Sequence, residues 1–386
     1  MSPAVADVTH YLTSADPNDL QTASFDVEME GVSSFSASSQ VVVGLDKTTR
    51  YLVRKDDMLI GGMLRQLGQW ELPFQRLLAS LLRNISGAIE GATWVDVGSN
   101  VGAWSLFFAA MVGPQGRVVS YEPQLDLVAH HHTALLLNEL ENTHIVNALV
   151  SNTTGFHDVA RVAPAARTYT NYGAKSAASL GQPAPAQRVF RVPSVRLDAH
   201  LLRHGVIPSC PALVKMDIEN AELEALLGAE RLVRECQPVL FIEAECAPLL
   251  RSLYYLLDAW GYAFGWAVLP IVDHSSRHFD RAVHEAEYAT VKTLYGSHNL
   301  VAVPRTRAVL LLSLPGVVVV DMAEERARPA DAPNLLALLE ILIHHRESNS
   351  SFRFEHPENS YAQADGRLFC GGEAVSTELS DLWKRH

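Results

Sequence analysis

One stretch of this chain joins a buried strand to glycines placed for ligand binding. Residues Trp94–Val97 are apolar around a single Asp96, which is typical of a strand covered on both faces. Gly98 permits a tight turn, and Gly102 lets the next helix start close to a ligand. A helix start presents unpaired N–H groups, which favour a carboxylate or another anion. The G-x-x-x-G spacing differs from the dinucleotide loop G-x-G-x-x-G and from the phosphate loop G-x-x-x-x-G-K-[ST].

An acid follows at the end of the next predicted strand. Glu122 comes directly after the run Val118–Tyr121, about twenty residues beyond Gly98. An α/β nucleotide site places a carboxylate on the ribose hydroxyls at this spacing. A solvated glutamate is the alternative interpretation, but the spacing and the following Pro123 favour the ribose contact. A ribose carboxylate without a phosphate loop predicts a nucleoside ligand, and S-adenosylmethionine fits that description.

A third block places charged residues at a strand end. The run Leu213–Met216 contains Lys215 and leads into Asp217 and Glu219, and the apolar run Pro238–Glu243 again ends in an acid. With these three blocks in this order, the chain resembles the FkbM-type methyltransferases over roughly residues 56–304. The matching pieces, in chain order, are Gly68–Glu71, Asp96–Gly102, Tyr121–Pro123, Asn147–Leu149, Val195–Asp198, Leu213–Glu222, Pro238–Glu243, Gly261–Tyr262 and Asn299–Pro304.

The chain departs from the family pattern at one position. The family usually has Gly between the acids of a D-x-E-G-x-E motif, and this chain has Asn220 there. Asn tolerates a left-handed backbone better than most other residues, so we expect the turn to be kept.

The resemblance implies an S-adenosylmethionine-dependent methyltransferase that acts on a hydroxyl of a sugar or secondary metabolite. N-methylation or protein methylation on the same fold is the alternative within enzymes. A catalytically silent cofactor-binding or assembly protein is the alternative outside them. The family fold is a Rossmann-like α/β sheet of seven strands, the last antiparallel, flanked by helices. Alternating strand and helix patterns support it, with strands expected at 93–98, 117–122, 144–150, 212–217, 238–244, 263–269 and 299–304 and helices at 102–112, 125–140, 220–235 and 247–260.

The cofactor residues expected from this resemblance lie at three strand ends. Gly98, Ser99 and Asn100 offer backbone groups to the amino-acid part of S-adenosylmethionine, and Asp96 holds the loop or the ammonium. The helix that begins at Gly102 faces the carboxylate. Glu122 takes the ribose hydroxyls. The residues expected at the adenine are Asn147 and Ala148.

Four residues are candidates for the general base that accepts the acceptor's proton. Asp217 ends the fourth strand, nearest to the transferring methyl in this sheet type, and Glu219 follows it. Glu243 ends the fifth strand. His298 precedes the antiparallel strand and has a side chain suited to proton transfer near neutral pH. Each has a structural alternative: an ion pair with Lys215, a helix cap or a surface position.

We expect no metal ion. Residues 130–132 are three adjacent histidines, and adjacent residues on a helix point in different directions. A divalent cation on Asp217, Glu219 and Glu243 is chemically reasonable, because carboxylates suit hard cations, but it ranks below the metal-free mechanism.

Composition and charge limit the partners and the location. The 386 residues are 48% hydrophobic and have a net charge of −12, which disfavours a nucleic-acid backbone as partner. No apolar run reaches the roughly eighteen residues that span a bilayer, and no basic segment precedes an apolar one near the N-terminus. Four cysteines without metal-ligand spacing are expected to be reduced thiols of a cytoplasmic protein.

We divide the chain into three parts. Residues 1–50 form an acidic, Ser/Ala-rich extension that we expect to be partly disordered, and residues 51–304 form the methyltransferase domain. Glycines and prolines between 151 and 193 indicate a hairpin or loop insertion. Residues 305–386, with a strand at Val317–Val320 and a helix at 334–345, form an accessory region of unknown role, such as a lid or a homodimer contact.

Overall fold

The protein is an α/β structure built around one eight-stranded sheet. The computed structural model describes residues 39–57, 59–160, 189–203, 206–207, 209–219, 221–244, 247–267, 269, 299–327, 368–370 and 373–375. The predictions for residues 1–38, for the helix at 334–345, for Asn220 and for His298 lie outside these ranges. Two compact units divide the chain, Met1–Phe241 and Ile242–His386.

The first unit begins with a small antiparallel hairpin and continues into alternating strands and helices. Its first elements are β1 (Ser39–Val43), β2 (Arg50–Arg54), α1 (Ile60–Leu67), α2 (Leu72–Arg83), β3 (Thr93–Val97), α3 (Ala103–Val112), β4 (Arg117–Tyr121), α4 (Leu125–Leu137) and β5 (Thr143–Val146). The remaining ones are β6 (Leu149–Val150), β7 (Gly155–Ala160), β8 (Val189–Val195), a π-helical turn (Asp198–Arg203), β9 (Leu213–Met216), α5 (Glu222–Leu227), α6 (Glu230–Cys236) and β10 (Val239–Glu243), whose last two residues belong to the second unit.

Strand register brings the ligand-side loops of the first unit together. β3 pairs in parallel with both β4 and β9, with Val97 opposite Tyr121 on one side and Met216 on the other. β4 pairs in parallel with β5, where Tyr121 is opposite Val146. The carboxyl ends of these strands therefore align, which is where open α/β sheets bind ligands. Every residue of β3 is buried, as its apolar sequence predicts.

The first unit corrects two expected elements. The strand expected at 144–150 is two strands, because residues 147 and 148 interrupt it and β6 pairs with β8 in a separate three-stranded sheet with β7. β7 and β8 pair antiparallel, as expected for a hairpin insertion. The helix expected at 220–235 is divided at Gly228, where a Cβ would lie 2.0 Å from the Ser151 carbonyl oxygen.

The second unit contains strands that pair antiparallel. Its elements are α7 (Ala247–Ala259), β11 (Tyr262–Ala267), β12 (Asn299–Pro304), a 3₁₀ turn (Arg305–Arg307), α8 (Val309–Leu312), β13 (Val317–Val319), α9 (Met322–Ala327), β14 (Leu368–Cys370) and β15 (Glu373–Val375). β12 and β13 both pair antiparallel with β11.

The sheet order is β13-β11-β12-β10-β9-β3-β4-β5. This order confirms the expected fold class, and β13 adds an eighth strand to the seven expected.

The cysteine prediction is wrong for one pair. Cys210, before β9, and Cys236, at the end of α6, form a disulfide that closes a loop of 26 residues. The sequence contains no spacing rule that would have paired them, because their proximity depends on how β9 and α6 pack. Among the described residues, no helix combines the length and apolar character that crossing a bilayer requires.

Candidate active site

The loop after β3 takes a conformation that demands glycine at two positions. Gly98 has φ +83° and Gly102 has φ +87°, in the region that L side chains rarely adopt. A Cβ on Gly98 would lie 1.8 Å from the backbone oxygen of Asp217. Asn100, between them, also has a left-handed backbone, with φ 51°. The loop after β3 is therefore pressed against the end of β9.

Asp96 is completely buried beneath this loop. Its Oδ2 accepts a hydrogen bond from Ser105 Oγ at 2.5 Å, which links the strand end to α3. Its Oδ1 lies 3.8 Å from Lys215 Nζ. Burial raises the pKa of Asp96, and the Lys215 charge acts in the opposite direction. The geometry fits the expected role of holding the loop.

Glu122 joins the loop to the end of β4. Its carboxylate accepts the backbone N–H of Asn100 at 3.0 Å and that of Gln124 at 2.9 Å. Burial raises the pKa of Glu122 to about 7, and the two N–H groups oppose that shift. The neighbouring carboxylates of Asp96 and Asp217 raise it further. The expected ribose ligand is thus a buried carboxylate that titrates near neutral pH.

The two residues expected at the adenine follow β5. The side-chain amide of Asn147 donates to the backbone oxygens of Glu122 at 2.8 Å and Pro123 at 3.1 Å. Ala148 is fully buried. Asn147 thus holds the segment that carries Glu122, which is a positioning contact that the sequence pattern did not indicate.

A buried lysine at the end of β9, Lys215, contacts two carboxylates beside the loop after β3. Lys215 Nζ donates to Asp217 Oδ2 at 3.0 Å, with the lysine side chain 2% exposed and the aspartate side chain 27% exposed. Burial alone lowers the pKa of Lys215, but the carboxylates of Asp217, Asp96 and Glu71 outweigh it and raise the pKa. Lys215 is therefore a permanent cation at the end of β9.

Two residues complete this charged cluster. Lys215 Nζ lies 5.6 Å from the centre of the Trp104 ring, a cation–π distance. Trp104 Nε1 donates to Glu71 Oε2 at 2.7 Å, and both side chains are buried. Sequence reasoning assigned no role to this pair. Glu71 has a left-handed backbone, with φ 50°, immediately before α2.

The structure describes three of the four base candidates, Asp217, Glu219 and Glu243. Asp217 lies beside the loop and is partly exposed, and Glu219 follows with a left-handed φ of 56°. The described left-handed residue of this turn is thus Glu219, one position before Asn220. Glu243 is the last residue of β10 and belongs to the second unit. Asp217 and Glu219 offer carboxylate oxygens of the kind that hard cations prefer, and a metal-free site stays a prediction.

The three adjacent histidines have three different environments. His130 contacts the backbone oxygen of Asp126 at 2.6 Å and Ser39 Oγ at 2.9 Å. His131 Nδ1 lies 3.2 Å from Ser99 Oγ, within the loop after β3. His132 is exposed. The contact of His131 with the loop was missed because the two residues are 32 positions apart and no local pattern connects them.

Comparison with known proteins finds a family model that is similar to the region around this site. Residues 96–264 match the model of the methyltransferase FkbM domain. This match begins at Asp96 and includes Glu122, Asn147 and Asp217. No curated protein matches the chain.

Solved structures give more distant likenesses. The methyltransferase FkbM from Methylobacillus flagellatus KT is 18% identical, with 58% of this chain and 47% of that chain covered and a TM-score of 0.33. This chain thus spans about half the length of that protein. Cofactor-bound Rv0187 from MTB is 14% identical, with 78% and 95% covered and a TM-score of 0.36. A SAM-dependent methyltransferase from Aquifex aeolicus is 14% identical, with 60% and 93% covered and a TM-score of 0.30.

The matched range begins at Asp96 in β3 and extends through the loop after β3, Glu122 and the end of β9. The resemblance found in the sequence is confirmed by the family match. Residues 96–264 of this chain are therefore similar to the methyltransferase FkbM domain.

Proposed function

We propose that this protein transfers the methyl group of S-adenosylmethionine to a hydroxyl of a sugar or secondary metabolite. The observation that supports this proposal best is the Lys215–Asp217 pair. Asp217 provides a partly exposed carboxylate. Its backbone oxygen lies against Gly98 in the loop after β3. A proton acceptor beside the methyl donor is what methylation of a neutral hydroxyl requires.

The residues around the loop fit the donor. Gly98 and Gly102 let the loop pack closely against Asp217 and His131, and the start of α3 presents backbone N–H groups for the donor's carboxylate. Buried Glu122 offers a carboxylate for two ribose hydroxyls. When bound, S-adenosylmethionine supplies an electrophilic methyl group on a sulfonium with a good leaving group. The protein therefore mainly has to align the acceptor and remove its proton.

Asp217 is our choice for the proton acceptor. Its Oδ2 lies 3.0 Å from Lys215 Nζ, and 27% of its side chain is open to solvent. Lys215 holds Asp217 in place from a position in the core. Glu219, Glu243 and His298 stay alternatives for the same step.

Partners and location stay at the level of prediction. We expect a small-molecule or glycan hydroxyl as acceptor, no nucleic acid, and a homodimer as one use of residues 305–386. A cytoplasmic location is the expectation from composition. The Cys210–Cys236 disulfide counts against it, because cytosolic thiols are kept reduced.

The test is turnover of S-adenosylmethionine with a panel of hydroxyl acceptors and a matched panel of amines. We expect S-adenosylhomocysteine to form with hydroxyl acceptors, and Asp217→Asn to lower kcat/KM by about 100-fold or more. Glu224→Gln, an exposed acid on α5, is the control and should keep full activity. Glu219→Gln, Glu243→Gln and His298→Gln are assayed in parallel.

Other outcomes distinguish the alternatives. Turnover with amines alone would assign N-methylation or protein methylation. Tight binding of S-adenosylhomocysteine without turnover across both panels would indicate the silent cofactor-binding protein. Full activity of Asp217→Asn, with loss in one of the parallel variants, would move the base to that residue.

A further inference from the structure

His131 is the buried titratable group in contact with the cofactor loop for which the proposed reaction has no use. The residue is completely buried on α4. Its Nδ1 lies 3.2 Å from Ser99 Oγ. A Cβ on Gly102 would lie 2.2 Å from His131 Cδ2 and 2.7 Å from Nε2. The imidazole thus contacts both ends of the segment Ser99–Gly102.

We propose that His131 is a positioning residue for S-adenosylmethionine binding, which holds the Ser99–Gly102 loop through one hydrogen bond and one face contact. The proposal rests on the methyl-donor site described above and adds a residue that no motif assigns to it.

The hydrogen-bond inventory of the ring indicates which atom donates. His131 Nε2 is buried and has no hydrogen-bond partner among the residues that the structure describes. A buried N–H without an acceptor is costlier than a buried lone pair without a donor. We therefore assign the ring proton to Nδ1, which donates to Ser99 Oγ. The Ser99 hydroxyl hydrogen is then free to point toward another acceptor.

Burial keeps the ring neutral, which this hydrogen bond requires. Burial lowers the pKa of His131 to about 3, and the neighbouring His132 lowers it further. The ring is therefore uncharged throughout the pH range in which an enzyme of this kind is assayed. It acts by shape and by a single N–H rather than as an acid or base.

The contact at Gly102 explains why the second glycine of the loop is needed. Any side chain at position 102 would overlap the imidazole, whatever the backbone angle. The Gly102–His131 contact therefore sets the distance between the loop and α4.

The test compares two variants of His131 in calorimetric titration with S-adenosylhomocysteine. His131→Leu keeps apolar volume and removes the hydrogen bond, and we expect its Kd to rise by about fivefold, the effect of one neutral hydrogen bond. His131→Asn places an amide N–H near the position of Nδ1 and should recover most of the affinity. His132→Leu, at the exposed adjacent position, is the control and should leave Kd unchanged.

A double-mutant cycle with Ser99→Ala separates positioning from general stabilisation. If the two side chains act through one hydrogen bond, Ser99→Ala/His131→Leu binds no more weakly than the weaker single variant. Thermal unfolding without ligand checks that each variant is folded. In turnover, His131→Leu should raise KM for the donor with little change in kcat.

Two results would overturn the proposal. One is a wild-type Kd in folded His131→Leu, and the other is a Kd for His131→Asn that rises as far as that of His131→Leu. Absence of binding to the wild-type protein would instead contradict the donor site itself, so the two failures are distinguishable.

Discussion

Glu122 combines a backbone contact and a predicted ligand contact in one buried carboxylate. Its two oxygens already accept the N–H groups of Asn100 and Gln124. Ribose hydroxyls would donate to the remaining lone pairs, and that contact is strongest when the carboxylate is ionised. Because burial raises the pKa of Glu122 to about 7, the free protein holds a proton there for part of the neutral range.

This shift predicts that ligand binding depends on pH. Ligand favours the ionised carboxylate, so affinity for S-adenosylhomocysteine should rise as pH increases through 7. Below about pH 6 the Kd should weaken by up to about tenfold per pH unit. Glu122→Gln cannot ionise and should bind more weakly, with a Kd that changes less between pH 5.5 and 8.5. Calorimetry at several pH values measures Kd for the wild type and Glu122→Gln. The same dependence of Kd on pH in both proteins would contradict a ligand-binding role for the Glu122 carboxylate.

Gly98 is constrained by its backbone angle and by its neighbour at once. We expect Gly98→Ala to lower the free energy of unfolding by more than about 2 kcal/mol, because the left-handed backbone costs about 1–2 kcal/mol for Ala and the Asp217 carbonyl clash adds to it. Gly91→Ala is the matched control, because Gly91 has φ +73° with open space around it. Urea unfolding measures the loss of unfolding free energy in both variants, and the difference between them is the contribution of the clash. Equal losses in the two variants would contradict a destabilising clash at Gly98.

At the scale of elements, Asp198 shows how a local signal can have a distant partner. Aspartate is a residue type that favours the cap of the helix that follows it. Its carboxylate instead accepts the backbone N–H groups of Arg231 at 3.2 Å and Leu232 at 2.8 Å, in the first turn of α6. It also contacts Arg196 Nη2 at 3.3 Å. The residue type indicated a cap, and only tertiary structure could show which helix is capped.

The cap of α6 should be measurable as stability. Asp198→Ala is expected to lower the free energy of unfolding by about 1 kcal/mol, the usual effect of losing a helix cap. Asp198→Asn keeps an oxygen that can accept from Leu232 and should lose less. Chemical unfolding of the three proteins tests this, and equal stabilities of Asp198→Ala and the wild type would show that α6 needs no cap here.

Strands and helices with strong patterns were predictable for a physical reason. β3, β4, β9 and β10 are short apolar runs bounded by glycine, proline or acids, and these patterns follow from burial on both faces. The break at Asn147–Ala148 and the break at Gly228 were not predictable. Each depends on a neighbouring segment, the three-stranded sheet in one case and the Ser151 carbonyl in the other.

At the scale of the whole molecule, the residues of the candidate site also divide into those that the sequence predicts and those that it does not. The loop residues and Glu122 are predicted from the sequence because they lie at strand ends that a parallel sheet must align. His131, Trp104 and Glu71 were not assigned, because their contacts join positions 30 or more residues apart through the packed core. The antiparallel β12 agrees with the last strand that the family resemblance implies, and β13 extends the sheet by one strand.

The family match covers residues 96–264, and the proposed methyl-donor site within them rests on binding residues that can be tested. The most direct measurement is calorimetric titration of S-adenosylhomocysteine into the wild type, Glu122→Ala and the control Glu90→Ala, whose glutamate is exposed. We predict tight binding to the wild type and the control, and a Kd at least tenfold weaker in folded Glu122→Ala. Equal binding to all three would contradict the assigned site, and no binding to the folded wild type would contradict the donor itself.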